Sequence, residues 1–210
     1  MTAITMKARL VRALYVLVVV AVLPFLIWNG FIQQVSAEWN DIIVRLRGAQ
    51  ATSATGAVAL VAIDDQTAAR YGPLPLNRAR LAEGLEVLAQ AHPRVVVLDL
   101  LLSEAGEPSQ DARLARSLGH FPHVVLGAAL EGDASENPRW ILPLPELAQG
   151  RSTAHVHAAP DADGDVRSVL LVKAGSARRF WALGFEAVRL ATGADRPLES
   201  AEAVSLGPIR

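Results

Sequence analysis

Four acids and two arginines stand where they could do chemistry. Asp64 and Asp65 close the apolar run AVALVAIDD (57–65), and Asp99 lies near the end of RVVVLDLLL (94–102). As neighbouring parallel strands, about 4.8 Å apart, the two runs would bring these acids to the carboxyl ends, where open α/β sheets bind ligands. Carboxylate oxygens there suit a hard cation such as Mg²⁺ or Ca²⁺, or accept a paired fork from Arg78. The plainer alternative is that they cap helices and pin loops; Asp65 in particular opens a predicted helix. Asp163 and Arg167, in PDADGDVR (160–167), complete the candidate ligand set, and the two arginines suit a small polar or anionic ligand.

DADGD (161–165) invites a calcium reading and fails it. With Gly164 at the EF-hand glycine, Ala159 takes the first position and Leu170 the place of the bidentate glutamate. A tight turn, with Gly164 at positive φ, is the expectation. His155 and His157 share one side of a strand, but no third ligand is near, so a solvated strand face is expected. There is no G-x-S-x-G, H-E-x-x-H, P-loop or G-x-G-x-x-G. No catalytic residue, metal ligand or cofactor is therefore assigned, and the chain is not expected to be an enzyme. The absence of cysteine removes thiolate chemistry. A net charge of −1 offers no basic surface for nucleic acid.

The elements that must position these residues read as α/β: a mixed, mainly parallel sheet flanked by helices over 57–210. Strands are predicted at 57–65, 94–102 and 123–130, with an antiparallel pair at 152–160 and 165–173. Helices are predicted at 65–72, 78–91, 109–119 and 178–193, with Asp65 and Ser109 as candidate caps and a short turn at 143–148. EGDASENPRW (131–140) reads as a polar loop, and Val204 begins a further strand. The first two strands with the helix between them predict a right-handed βαβ unit.

Ahead of this domain, residues 1–9 read as a cytoplasmic tail and 10–32 as one transmembrane helix, uncharged from Ala13 to Trp28. Lys7, Arg9 and Arg12 precede the span and Glu38 and Asp41 follow it, which predicts an exported C-terminal part. A cleaved signal peptide ending near Val35-Ser36-Ala37 is the competing reading. Residues 33–56 read as a juxtamembrane helix, apolar at Trp39, Ile42, Ile43 and Leu46, followed by a small-residue linker. The predicted place is the cytoplasmic membrane, with the domain on the periplasmic or extracellular side.

The order VAIDD–x5–YG–x2–P–x2–R, RVVVLDLLL-x-E, D-x2-L-A-x-S-L, LPLPELA and PDADGDVRSVLL resembles the second class of CHASE domains, from about Ile42 onward. The resemblance implies an extracytoplasmic sensory domain that serves a cyclase or kinase output further along the same chain. Where that family tends to carry tryptophan around the prolines, this chain has Leu74 and Leu76; where it prefers an aromatic after the second strand's aspartate, it has Leu100, Leu101 and Leu102. The family domain also runs on past the region like AVSLGPIR, so the sensor is expected to be C-terminally incomplete. The partners implied are the membrane and an unidentified small-molecule or envelope ligand; a homodimer is left open. The alternative function is a membrane-tethered envelope enzyme with a carboxylate-bound divalent metal.

Overall fold

The computed structural model describes residues 11–12, 15–20, 22, 24–25, 31–47, 57–132, 138–161, 163–175, 178–200 and 203–207. Contacts group the chain into two units, Met1–Ala62 and Ile63–Arg210.

In the first unit the described residues 11–12, 15–20, 22 and 24–25 are helical, and Tyr15, Val16, Leu17, Val18, Val19 and Val20 are exposed. Helix α1 (Phe31–Arg47) has no glycine or proline to interrupt it and exposes Val35, Trp39, Ile42, Ile43 and Leu46. Among the described residues no helix is long and apolar enough to cross a membrane. The span expected over 10–32 falls in part outside those residues, and the linker over 48–56 lies wholly outside them.

The strand expected at 57–65 does not form. Val58 makes only a single bridge and residues 59–64 are irregular, with Leu60 92% exposed. A continuous apolar run says that a segment can be buried on two faces, but not what would cover it.

The second unit is built on a sheet in which β1 (Val96–Leu98) and β4 (Ser152–His155) flank β2 (Val124–Glu131), both parallel to it. β3 (Arg139–Ile141) pairs antiparallel with the far end of β2. Helix α2 (Asp65–Tyr71) precedes α3 (Arg78–Ala89), and α4 (Pro108–Leu118) makes the crossover from β1 to β2. The α/β class with its mainly parallel sheet is thus as expected, but the first parallel pair is β1 and β2 rather than 57–65 and 94–102.

Ala82 and Leu85 of α3 and Leu114 and Leu118 of α4 close over Val96, Leu98, Val124 and Leu126 in one buried cluster. Leu81, Leu85 and Leu88, three and four residues apart, give α3 the stripe that faces this cluster. Short α5 (Pro145–Ala148) adds Leu147. Val125, buried outside the cluster, points by strand alternation to the other face. Ser152 shares its register position and is hydrogen-bonded by Glu186 of α6 (Leu183–Thr192), so α6 covers that face. Gly193, at φ 65°, ends α6 in the left-handed conformation that glycine adopts without strain.

Three further expectations are corrected. Segments 152–160 and 165–173 do not pair with each other: β4 joins β2, and β5 (Val172–Gly175) pairs antiparallel with β6 (Arg178–Trp181). The helix expected from Arg178 begins only at Leu183, because Arg178–Trp181 are taken up by that hairpin. The polar loop of 131–140 holds β3 at its end, with Trp140 buried. β7 (Leu198–Glu199) pairs antiparallel with β8 (Val204–Ser205), so a strand does begin at Val204.

Candidate functional site

Asp64, not Asp65, caps α2. Its side chain accepts from the Thr67 amide and the Thr67 hydroxyl, both at 2.9 Å, while the Asp64 amide donates back to Thr67 Oγ1. The Thr67 amide is the main reason the Asp64 carboxyl lies below its usual range. Asp65 is the exposed first residue of the helix. Asp64→Ala is expected to lower the denaturation midpoint, because the first turn of α2 loses its cap.

Arg78, the first residue of α3, turns toward the loop that follows β1. Its guanidinium Nε lies 3.3 Å from Asp111 Oδ1, and an Nη donates to the Glu104 carbonyl at 2.9 Å. Asp111 Oδ2 accepts the Gly106 amide at 2.7 Å, so one half-buried pair fixes the 104–106 loop to both helices. Asp111 was not singled out in the sequence, although an acid in the first turn of a proline-started helix was the available signal. Asp99 is exposed just beyond β1, with no hydrogen bond or ion pair among the described residues. Among those residues, no group of three or more histidines and acids is arranged to hold a metal ion.

Asp163 and Arg167 are brought together. The Arg167 guanidinium meets Asp161 at 2.9 Å, Asp163 at 2.8 Å and Asp165 at 3.2 Å, filling the acidic turn with its own cation. The turn is closed by Gly164 N–H to the Asp161 carbonyl and Asp161 N–H to the Asp165 carbonyl, with Gly164 at φ 90° as expected. Hydrogen bonds from Arg167, then from the Asp165 amide, pull the Asp163 carboxyl down to about 2. Its folded value is depressed, so its stabilisation is complete above the unfolded value near 3.8 and is lost as pH falls through about 2. Arg167→Gln is expected to return the Asp163 titration toward 3.8, read from carboxyl carbon shifts.

A buried histidine and a half-buried one lie elsewhere, at the carboxyl ends of β2 and β4. His155 is 1% exposed, which corrects the solvated face expected for it. Its Nδ1 accepts the His157 amide at 3.2 Å, and its buried Nε2 has no hydrogen-bond partner. His157 Nε2 in turn accepts the Leu130 amide. The Trp140 indole N–H donates to the Gly175 carbonyl at 2.8 Å and the Arg178 carbonyl at 3.3 Å. Its ring meets Phe180 edge-on at 4.7 Å and His157 at 6.2 Å. Burial pushes the titration of both histidines down, and the Lys173 charge pushes the same way; the Leu170 backbone opposes it at His155.

A protein-family model described as the CHASE2 domain matches residues 16–208. No curated protein and no solved structure matches the chain.

Proposed function

The chain belongs to the CHASE2 domain family, a family of sensory domains, and from that membership we propose that it is the extracytoplasmic sensing part of a membrane receptor. The match begins at residue 16, inside the apolar stretch, and runs through the whole α/β unit. That continuity is the single observation that carries the proposal. In it, residues 10–32 anchor the chain in the cytoplasmic membrane and α1 connects the anchor to the sensor.

Three features support this reading. The stretch from Ala13 to Trp28 carries no charge; Lys7, Arg9 and Arg12 precede it, and the first charges after it are the acids Glu38 and Asp41. The helical residues there expose valine, leucine and tyrosine, side chains that lipid would solvate at little cost. No nucleophile–base pair or nucleotide-binding motif competes for an enzymatic role.

A signal read by the α/β unit would reach a cyclase or kinase output by favouring one of two arrangements of the connecting helix, which requires unequal affinity for the two. Asp64, Asp65, Arg78, Asp99, Asp163 and Arg167 remain the proposed ligand contacts, and the exposed carboxylates of Asp65 and Asp99 have no hydrogen bond or ion pair among the described residues. The test is membrane extraction: the full chain should stay with membranes washed at high pH, and a version starting at residue 33 should be released. Release of the full chain by that wash would overturn the anchor.

A further inference from the structure

His155 and His157 are wired as acceptors. In each ring one nitrogen accepts a hydrogen bond from a backbone amide, that of His157 for His155 Nδ1 and that of Leu130 for His157 Nε2. An imidazolium has no such lone pair, because both of its nitrogens donate. Protonating either ring therefore sets two N–H groups against each other and breaks a backbone hydrogen bond at the end of β2 or β4. The buried Nε2 of His155 has no hydrogen-bond partner, and burial outweighs the help that the Leu170 backbone gives the charged ring.

The β5–β6 hairpin lies over this pair. Trp140 holds its backbone at Gly175 and Arg178, Phe180 packs on the same indole, and Ala182 bridges to His155. A Cβ added at Gly175 would come within 2.6 Å of Leu130, so the hairpin sits directly on the end of β2.

Among the described residues, the charges on the elements around the histidines are cations or acids already paired. Lys173 of β5 acts on both rings as a like charge. On β6, Arg178 and Arg179 are cations, the latter paired with Glu199. Glu131 of β2 is paired with Arg139 of β3, and Glu186 of α6 with Arg189.

We infer that the β5–β6 hairpin is a proton-released latch, docked on the neutral imidazoles of His155 and His157 and freed when they are protonated. The latch belongs to the second unit alone. Its use as a signal rests on the sensory reading above, because only an exported domain meets unbuffered changes in pH.

Both folded histidines titrate below their ordinary value of 6.5, so the unfolded or undocked state binds protons first. Docking is then complete above 6.5 and is lost as pH falls through the folded values. Each unit by which a ring is depressed corresponds to about a tenfold change in the docking equilibrium.

The experiment is amide hydrogen exchange on the full chain between pH 7.5 and 5, corrected for the intrinsic rate, alongside imidazole titration by NMR. Hairpin amides 172–175 and 178–181 should lose protection progressively as pH falls below 6.5, while the α3 and α4 amides keep theirs. His155→Gln with His157→Gln should abolish that pH dependence. Unchanged hairpin protection across the range, or the same loss in the double variant, would overturn the latch. Should the double variant not fold, titration of either ring at 6.5 or above in the unaltered chain overturns it equally. None of these readings depends on where the chain resides, so the latch and the membrane topology can fail separately.

Discussion

Trp140→Ala should remove about 3–5 kcal/mol of unfolding free energy, the range for deleting a buried aromatic. The indole is 8% exposed and joins two pieces of backbone far apart in sequence. Its N–H serves the carbonyls of both hairpin strands, and its ring fills the space between Phe180 and His157. Trp140→Phe keeps most of the apolar contact and loses the two hydrogen bonds, and should cost about 1–3 kcal/mol. The ordering is checked by urea denaturation: alanine well below phenylalanine, and phenylalanine below the unaltered chain. Equal stability for all three would mean that the hairpin does not depend on this ring.

Arg78→Ala should cost about 2–4 kcal/mol, because it strands a carboxylate rather than merely losing a contact. The side chains of Arg78 and Asp111 are 17% and 13% exposed, and Asp111 Oδ1 has no hydrogen bond to fall back on. The range sits below that of a fully buried pair because both groups keep some solvent. Arg78→Ala combined with Asp111→Ala should recover part of the loss, since the double change leaves no charge behind. The comparison also separates two roles for Arg78. A ligand contact would lose signalling at unchanged stability, whereas a staple loses stability first and recovers with Asp111 removed.

Local features of this fold were legible from neighbouring residues, and long-range ones were not. The stripe Leu81, Leu85, Leu88 gave α3, and the Gly164 turn is written in DADG. The cap of α2 was misplaced by one residue, because the threonine that answers Asp64 lies three positions on. β4 was assigned to a hairpin with 165–173, since a tight turn between two apolar runs reads that way. Its actual partner is β2, with Ser152 opposite Val125, a pairing that no local pattern specifies. The same limit explains residues 57–64, whose composition signals burial without naming a neighbour.

In the site, the charged residues were visible and their partners were not. Arg167 and Asp163 are four apart and meet in a turn. Arg78 and Asp111 meet only because α3 and α4 pack side by side. The burial of His155 was invisible, because two histidines on a strand look alike in water and under a hairpin. His155 bridges to Ala182, just past β6, and Trp140, which packs on neighbouring His157, lies in a segment that reads as loop.

The central claim is an exported sensory domain on an N-terminal anchor, and the chain's lack of cysteine makes it directly testable. A single cysteine is introduced at Ala3 or at Ala112, an exposed position on α4. Intact cells are then treated with a thiol reagent that cannot cross the cytoplasmic membrane. Ala112→Cys should react in intact cells, and Ala3→Cys only after lysis. Protection of Ala112→Cys until lysis, with the domain accessible only from the cytoplasm, would contradict the account.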